Sequence, residues 1–139
     1  MMQGSSTYGG LLADAAALVS AWREGAVRCF DGDTARVNEL NARRERIFSS
    51  LRDALEGAED LRDRCELLSG MFAVTLDASS VPDPGKEETC RELAEQTLLS
   101  PECGEYLRMA LAAEAAEDES GTVAAVRRLT EDLAWPDEL

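Results

Sequence analysis

TARVNELNARRERIFSSLRDALEGAEDLRDRCELLSGMFAVTL, residues 34–76, holds the register on which the fold turns. Val37, Leu40, Arg44, Ile47, Leu51 and Ala54 follow alternating steps of three and four, and the same phase runs on through Ala58, Leu61, Cys65, Leu68 and Phe72. Such steps return to one face of an α-helix, and about five heptads of them make a continuous seam. Gly57 lies inside the pattern and would permit a break into two helices. Because the phase survives the glycine, the pattern favours one long or gently kinked helix from Thr34 to about Leu76. Such a helix of about 43 residues spans about 65 Å. The neighbouring helices are shorter, so the seam is expected to exceed what its own domain can cover. The surplus would serve a second copy or a partner's helix.

Upstream, MMQGSSTYG (residues 1–9) is small and polar and reads as a disordered leader. A helix is expected from about Leu11 to Phe30, with Leu11, Ala15, Leu18, Val19, Trp22, Ala26, Cys29 and Phe30 on one face. Gly25 weakens it by about 1 kcal/mol relative to alanine. Asp31-Gly32-Asp33 ends it and caps the next helix, and so short a connection implies an antiparallel hairpin. Downstream, DASSVPDPG (residues 77–85) reads as a loop. Three shorter helices are expected within residues 86–135. The first runs from about Lys86 to Leu99. The second restarts at Ser100-Pro101, with serine as N-cap and proline in the first turn. The third runs from about Thr122 to Ala134 and is stopped by Pro136. The fold class is therefore all-α: one helical domain over residues 10–139, built on an antiparallel hairpin (10–78) with one long helix.

Composition agrees with helices. Apolar residues make up 45% of the 139 positions and aromatic residues only 5%, so the β-branched and aromatic enrichment of strands is missing. The 28 acids and 14 bases leave a formal charge of −14, which opposes binding to a phosphate backbone or to an anionic membrane surface. Residues 1–85 carry 14 acids and 9 bases, and residues 86–139 carry 14 acids and 5 bases, so the acidity is concentrated in the second part. That surface suits solubility. It also admits a basic partner or mimicry of a nucleic acid. No run approaches the length of a membrane span, and no charged-then-apolar leader is seen, so a cytoplasmic protein is expected.

Catalytic chemistry is hard to find. Histidine is absent, so Ser–His and Cys–His pairs and Glu-x-x-His metal motifs are ruled out. Cys29, Cys65, Cys90 and Cys103 are widely spaced and lie on apolar stripes, which suits buried thiols better than zinc ligands. Arginines adjacent to Cys29, Cys65 and Cys90 point about 100° away on a helix and do little to activate a thiol. Asp31-Gly32-Asp33 is too short for a calcium loop. Neither a cofactor nor a metal is expected, and the chain reads as a non-enzyme.

Trp22–Leu55, WREGAVRCFDGDTARVNELNARRERIFSSLRDAL, pairs an amphipathic helix, a Gly-Asp turn (Gly32, Asp33) and a helix bearing Leu40, Arg43, Arg44, Ile47 and Leu51. In this it resembles the N-terminal half of flagellar export chaperones of the FlgN and FliT type, over about a quarter of the chain. The resemblance implies a cytoplasmic chaperone that holds an aggregation-prone helical end of a secreted subunit. On this reading Leu40, Arg44, Ile47, Phe48 and Leu51 form the partner-binding face. Arg44, in a seam position, either snorkels to solvent or pairs with an acid on a partner or a neighbouring helix. The alternatives are a homodimeric structural or regulatory protein built through the seam, a thiol sensor or enzyme, and a nucleic-acid mimic.

Overall fold

The computed structural model describes residues 8–27, 34–76, 83–111 and 121–133. Over these residues the chain is a helical bundle: α1 (Gly9–Val27), α2 (Thr34–Gly57), α3 (Leu61–Leu76), α4 (Pro84–Leu98), α5 (Gly104–Leu111) and α6 (Gly121–Leu133). A 3₁₀ turn, Pro101–Cys103, leads into α5. None of these helices is long and apolar enough to cross a membrane. The Asp31-Gly32-Asp33 turn, Cys29, Phe30, Pro136 and residues 1–7 of the expected leader lie outside the described residues. Gly9, read as the last leader residue, already belongs to α1. Tyr8 packs against the core, and its carbonyl accepts from the Leu12 amide at 2.9 Å.

The single helix expected over residues 34–76 is two helices. α2 ends at Gly57, and its last turn tightens as the Ala58 amide donates to the Leu55 carbonyl at 3.2 Å. Asp60 then starts α3: its Oδ1 accepts from the backbone amides of Arg62 at 2.8 Å and Asp63 at 3.4 Å, and its carbonyl takes the first helical bond, from Arg64 N–H at 3.0 Å. This is an aspartate cap satisfying amides that a helix start leaves unpaired. α3 doubles back along α2, and a Cβ built on Gly70 would lie 3.4 Å from Leu51 Cδ2. α2 and α3 thus form an antiparallel pair, and α1 packs on both. The seam's phase survives because Ala58, within the reversal, and Leu61, just after it, are both buried. Asp60→Ala is expected to lower stability by about 1 kcal/mol without changing the fold, read as a lower urea midpoint with unchanged far-ultraviolet circular dichroism. A loss below about 0.3 kcal/mol would mean that the cap contributes nothing to the break.

α3 is the centre of the bundle. It touches α1, α2, α4 and α6, and nine of its sixteen residues are buried. From Cys65 to Leu76 it carries one charged residue, Glu66, which suits a helix covered on several sides. α4 runs beside α2 in the same direction. Lys86 near its start reaches Glu45, while Leu93 and Thr97 near its end share a cleft with Leu55 and Ala58. α6 begins at the first turn of α3, where Gly121 faces the Arg62 guanidinium, and α5 packs on α6.

Caps refine two boundaries. α4 starts at Pro84 rather than Lys86, because Asp83 Oδ1 accepts from the Lys86 amide at 3.2 Å and proline occupies the first helical position. Ser100 does precede the next helical segment, with Pro101 in its first turn, but its side chain makes no cap. The hydroxyl instead donates backwards to the Thr97 carbonyl at 2.8 Å, closing the end of α4.

Candidate partner-binding surfaces

The five residues assigned to partner binding from the sequence are mostly interior. Leu40 and Leu51 are 0% exposed and Phe48 6%, all within the single core, and Ile47 is half-buried against that core. Of the other seam positions, Ala58, Leu61, Cys65, Leu68 and Phe72 are buried, and Val37 and Ala54 pack against the core. The expected surplus of seam does not exist. Reversal at residues 58–60 turns the two halves of the ridge toward one another, and α1, α4 and α6 close over α3.

Arg44 neither snorkels freely nor pairs across helices. Its Nη2 lies 3.6 Å from Glu45 Oε2, its own neighbour in sequence, while Nε and Nη1 are buried without hydrogen-bond partners. Lys86 makes the cross-helix contact here. Its Nζ lies 2.8 Å from Glu45 Oε2 and 3.1 Å from Asp83 Oδ2, and 5.5 Å from the centroid of the Phe48 ring. The Lys86 amide and ammonium hold the Asp83 carboxyl below its ordinary range. The bond to Glu45 raises the Lys86 pKa against the opposing effect of burial. This cluster clips α4 to α2, so the region around Arg44 and Phe48 is a helix junction within the chain.

The described thiols are core groups. Burial pushes Cys65 up to about 12 and Cys90 up to about 11, and raises Cys103. Cys90 Sγ lies 3.8 Å from Thr75 Oγ1. At neutral pH all three are protonated, so no thiolate nucleophile is presented from these positions. Cys29 is not among the described residues. Among those that are, no group of three metal-ligating side chains converges.

Two concavities are lined by described residues. The larger, about 450 Å³, runs between α1, α3 and α6. Its floor is made of small residues: Ala15 and Ala16 from α1, Ser69, Gly70 and Ala73 from α3, and Gly121, Ala124 and Ala125 from α6. Leu12, Arg62, Glu66 and Arg128 also line it, and Arg62 Nε is 3.8 Å from Glu66 Oε2. Ser69 is 4% exposed, and its hydroxyl has no hydrogen-bond partner. A buried hydroxyl left unpaired costs on the order of 1–3 kcal/mol, so an acceptor brought to it would be favoured. The smaller concavity, about 310 Å³, lies between α2, α3 and α4 and is lined by Arg52, Leu55, Glu56, Ala58, Arg64, Leu93, Gln96 and Thr97.

Neither surface was foreseen from the sequence. The signal for the larger one was present in the spacing of Ser69, Gly70 and Ala73 and of Gly121, Ala124 and Ala125, which puts small residues on one face of each helix. A search for large apolar residues passes over such a face. Compared with protein-family models, with curated proteins and with solved structures, the chain has no match.

Proposed function

We propose that this chain is a protein-binding helical bundle without enzymatic activity, and that it receives one helix of a partner in the groove between α1, α3 and α6. The observation that carries the reading is the orphaned Ser69 hydroxyl on a floor of alanine and glycine spanning three helices. Small side chains let a visiting helix approach closely, in the way that ridges enter grooves between packed helices. Arg128 makes no ion pair within the described residues, and with Arg62 it puts two guanidiniums on the groove of a strongly acidic chain. The partner helix is therefore one with small or apolar residues on the inserted face, a hydrogen-bond acceptor for Ser69 and carboxylates beside that face. In the cell, a cytoplasmic chaperone for an exported, flagellar-type subunit is the form of this activity we favour. The support for it is the helical architecture and the Trp22–Leu55 resemblance; the binding face moves from the enclosed Leu40–Leu51 region to the groove.

The test fills the groove. Ala124, one of the small residues lining the groove, is exposed, so Ala124→Trp should fold normally and block entry. Partners retained by the wild type and lost by the variant are identified, and the helix of the leading candidate is titrated as a peptide. The expected result is at least tenfold weaker binding to Ala124→Trp. Equal affinity for the two proteins would remove the groove from the reading. For the chaperone arm, the expectation is that equimolar protein suppresses the captured subunit's self-association, followed by light scattering. Unaltered aggregation would restrict the reading to helix binding alone.

A further inference from the structure

The smaller concavity carries an assignment independent of the helix groove. Arg64, the fourth residue of α3, lines it with its Nε shut off from solvent and without an acceptor. Arg52, from α2, lines the same cleft, and neither arginine forms an ion pair among the described residues. In a chain with 28 acids and 14 bases, two unpaired guanidiniums on one small cleft stand against the overall charge. Glu56 also lines the cleft, one helical turn after Arg52, yet lies beyond ion-pair distance of both. A charged N–H buried without an acceptor is more costly than a neutral one, and the planar guanidinium fork matches the geometry of a carboxylate or phosphate.

We propose that this cleft binds a small molecule through an oxyanion, carboxylate or phosphate, with Arg64 Nε–H as the buried donor and with Arg52 and the Gln96 amide at the mouth. The volume, about 310 Å³, is at the lower end for small-molecule sites. Leu55 and Ala58 border the α2/α3 reversal and Leu93 belongs to α4, so a bound oxyanion ties that reversal to α4.

The experiment is a titration of the ¹⁵N-labelled full chain, followed by NMR, with inorganic phosphate in one arm and succinate in the other. Sodium chloride at matched ionic strength is the control. A saturable shift of the Arg64 Nε–H and of the Gln96 and Thr97 amides is expected, at least tenfold weaker in Arg64→Gln and in Arg52→Gln. Arg128→Gln, in the other groove, should bind as the wild type does. Arg52 is exposed, so its variant keeps the test valid if loss of Arg64 disturbs the fold. Saturation by phosphate alone identifies a phosphoryl ligand, and by succinate alone a carboxylate; either supports the assignment. Shifts in both arms that merely follow the chloride control, or saturable binding untouched by Arg52→Gln, would overturn it. Ala124→Trp should leave this titration unchanged, so the fate of the groove reading does not decide this one.

Discussion

Leu51→Ala is expected to destabilise the protein by about 3–5 kcal/mol. Leu51 is fully buried, and its methyl groups face Gly70 of α3. Truncation removes apolar area and leaves a cavity that two helices held by a three-residue link cannot collapse to fill. With total stabilities of about 5–15 kcal/mol in proteins of this kind, the loss is a large share. Urea unfolding should show a midpoint lowered by about 2 M with an unchanged slope. A second substitution sharpens the test. In the wild type, a Cβ at position 70 would lie 3.3 Å from Leu12 Cδ2 and 3.4 and 3.5 Å from the Leu51 methyls. Once Leu51 is truncated, only the Leu12 contact remains. The helix-propensity gain of Gly70→Ala, about 1 kcal/mol, should then emerge more fully than in the wild-type background. Should Leu51→Ala cost less than about 1 kcal/mol while partner binding is lost, Leu51 would be a binding residue after all.

Alkaline solution is expected to lower the stability of the protein progressively above about pH 8.5. The unfolded thiol ionises near 8.5, whereas in the fold burial holds Cys65 up to about 12 and Cys90 up to about 11. Between those limits the native state binds more protons than the unfolded chain, so stability falls as pH rises. The contribution is complete below about pH 8.5 and is lost progressively as pH climbs toward the folded values. Each thiol removes about 1.4 kcal/mol per pH unit in that window, so by pH 11 the pair together removes on the order of 6 kcal/mol. Circular dichroism against pH follows the transition. Cys65→Ala and Cys90→Ala should each flatten the decline above pH 9, whatever they do to stability at pH 7. Parallel curves for wild type and both variants would show that the thiols do not drive the loss.

The seam shows how far periodicity reaches. The residues that repeat with its phase do face inward, and the expected ends at Leu11, Thr34, Leu76, Lys86, Leu99, Ser100, Thr122 and Ala134 lie within two residues of helix boundaries. The link between α2 and α3 leaves no mark on the periodicity, because Ala58 within it and Leu61 just after it keep the phase. The informative residue was Asp60, an N-cap three positions before Asp63 in an otherwise helical run. The same segment held a second clue. Leu67, Met71 and Val74 lie off the seam yet are apolar, and all are buried, which marks α3 as enclosed on several sides and not striped on one. A single-face reading of residues 61–76 overlooks that signal and so assigns surplus apolar surface to a helix that has none. The groove was less legible. Its floor consists of residues whose side chains are too small to register as a hydrophobic pattern, contributed by α1, α3 and α6 from distant parts of the chain.

Local chemistry alone thus decides that this chain is helical, which faces are apolar and where most helices end. Those properties depend on spacing within a few turns and on the caps beside them. Packing decides the rest: the reversal at residues 58–60, the central place of α3, and the conversion of Leu40, Phe48 and Leu51 from an apparent binding face into interior. It also brings together the small residues of three helices and the unpaired guanidiniums of Arg52 and Arg64. Periodicity within a segment states that a face seeks cover, and only the arrangement of segments in space determines what covers it.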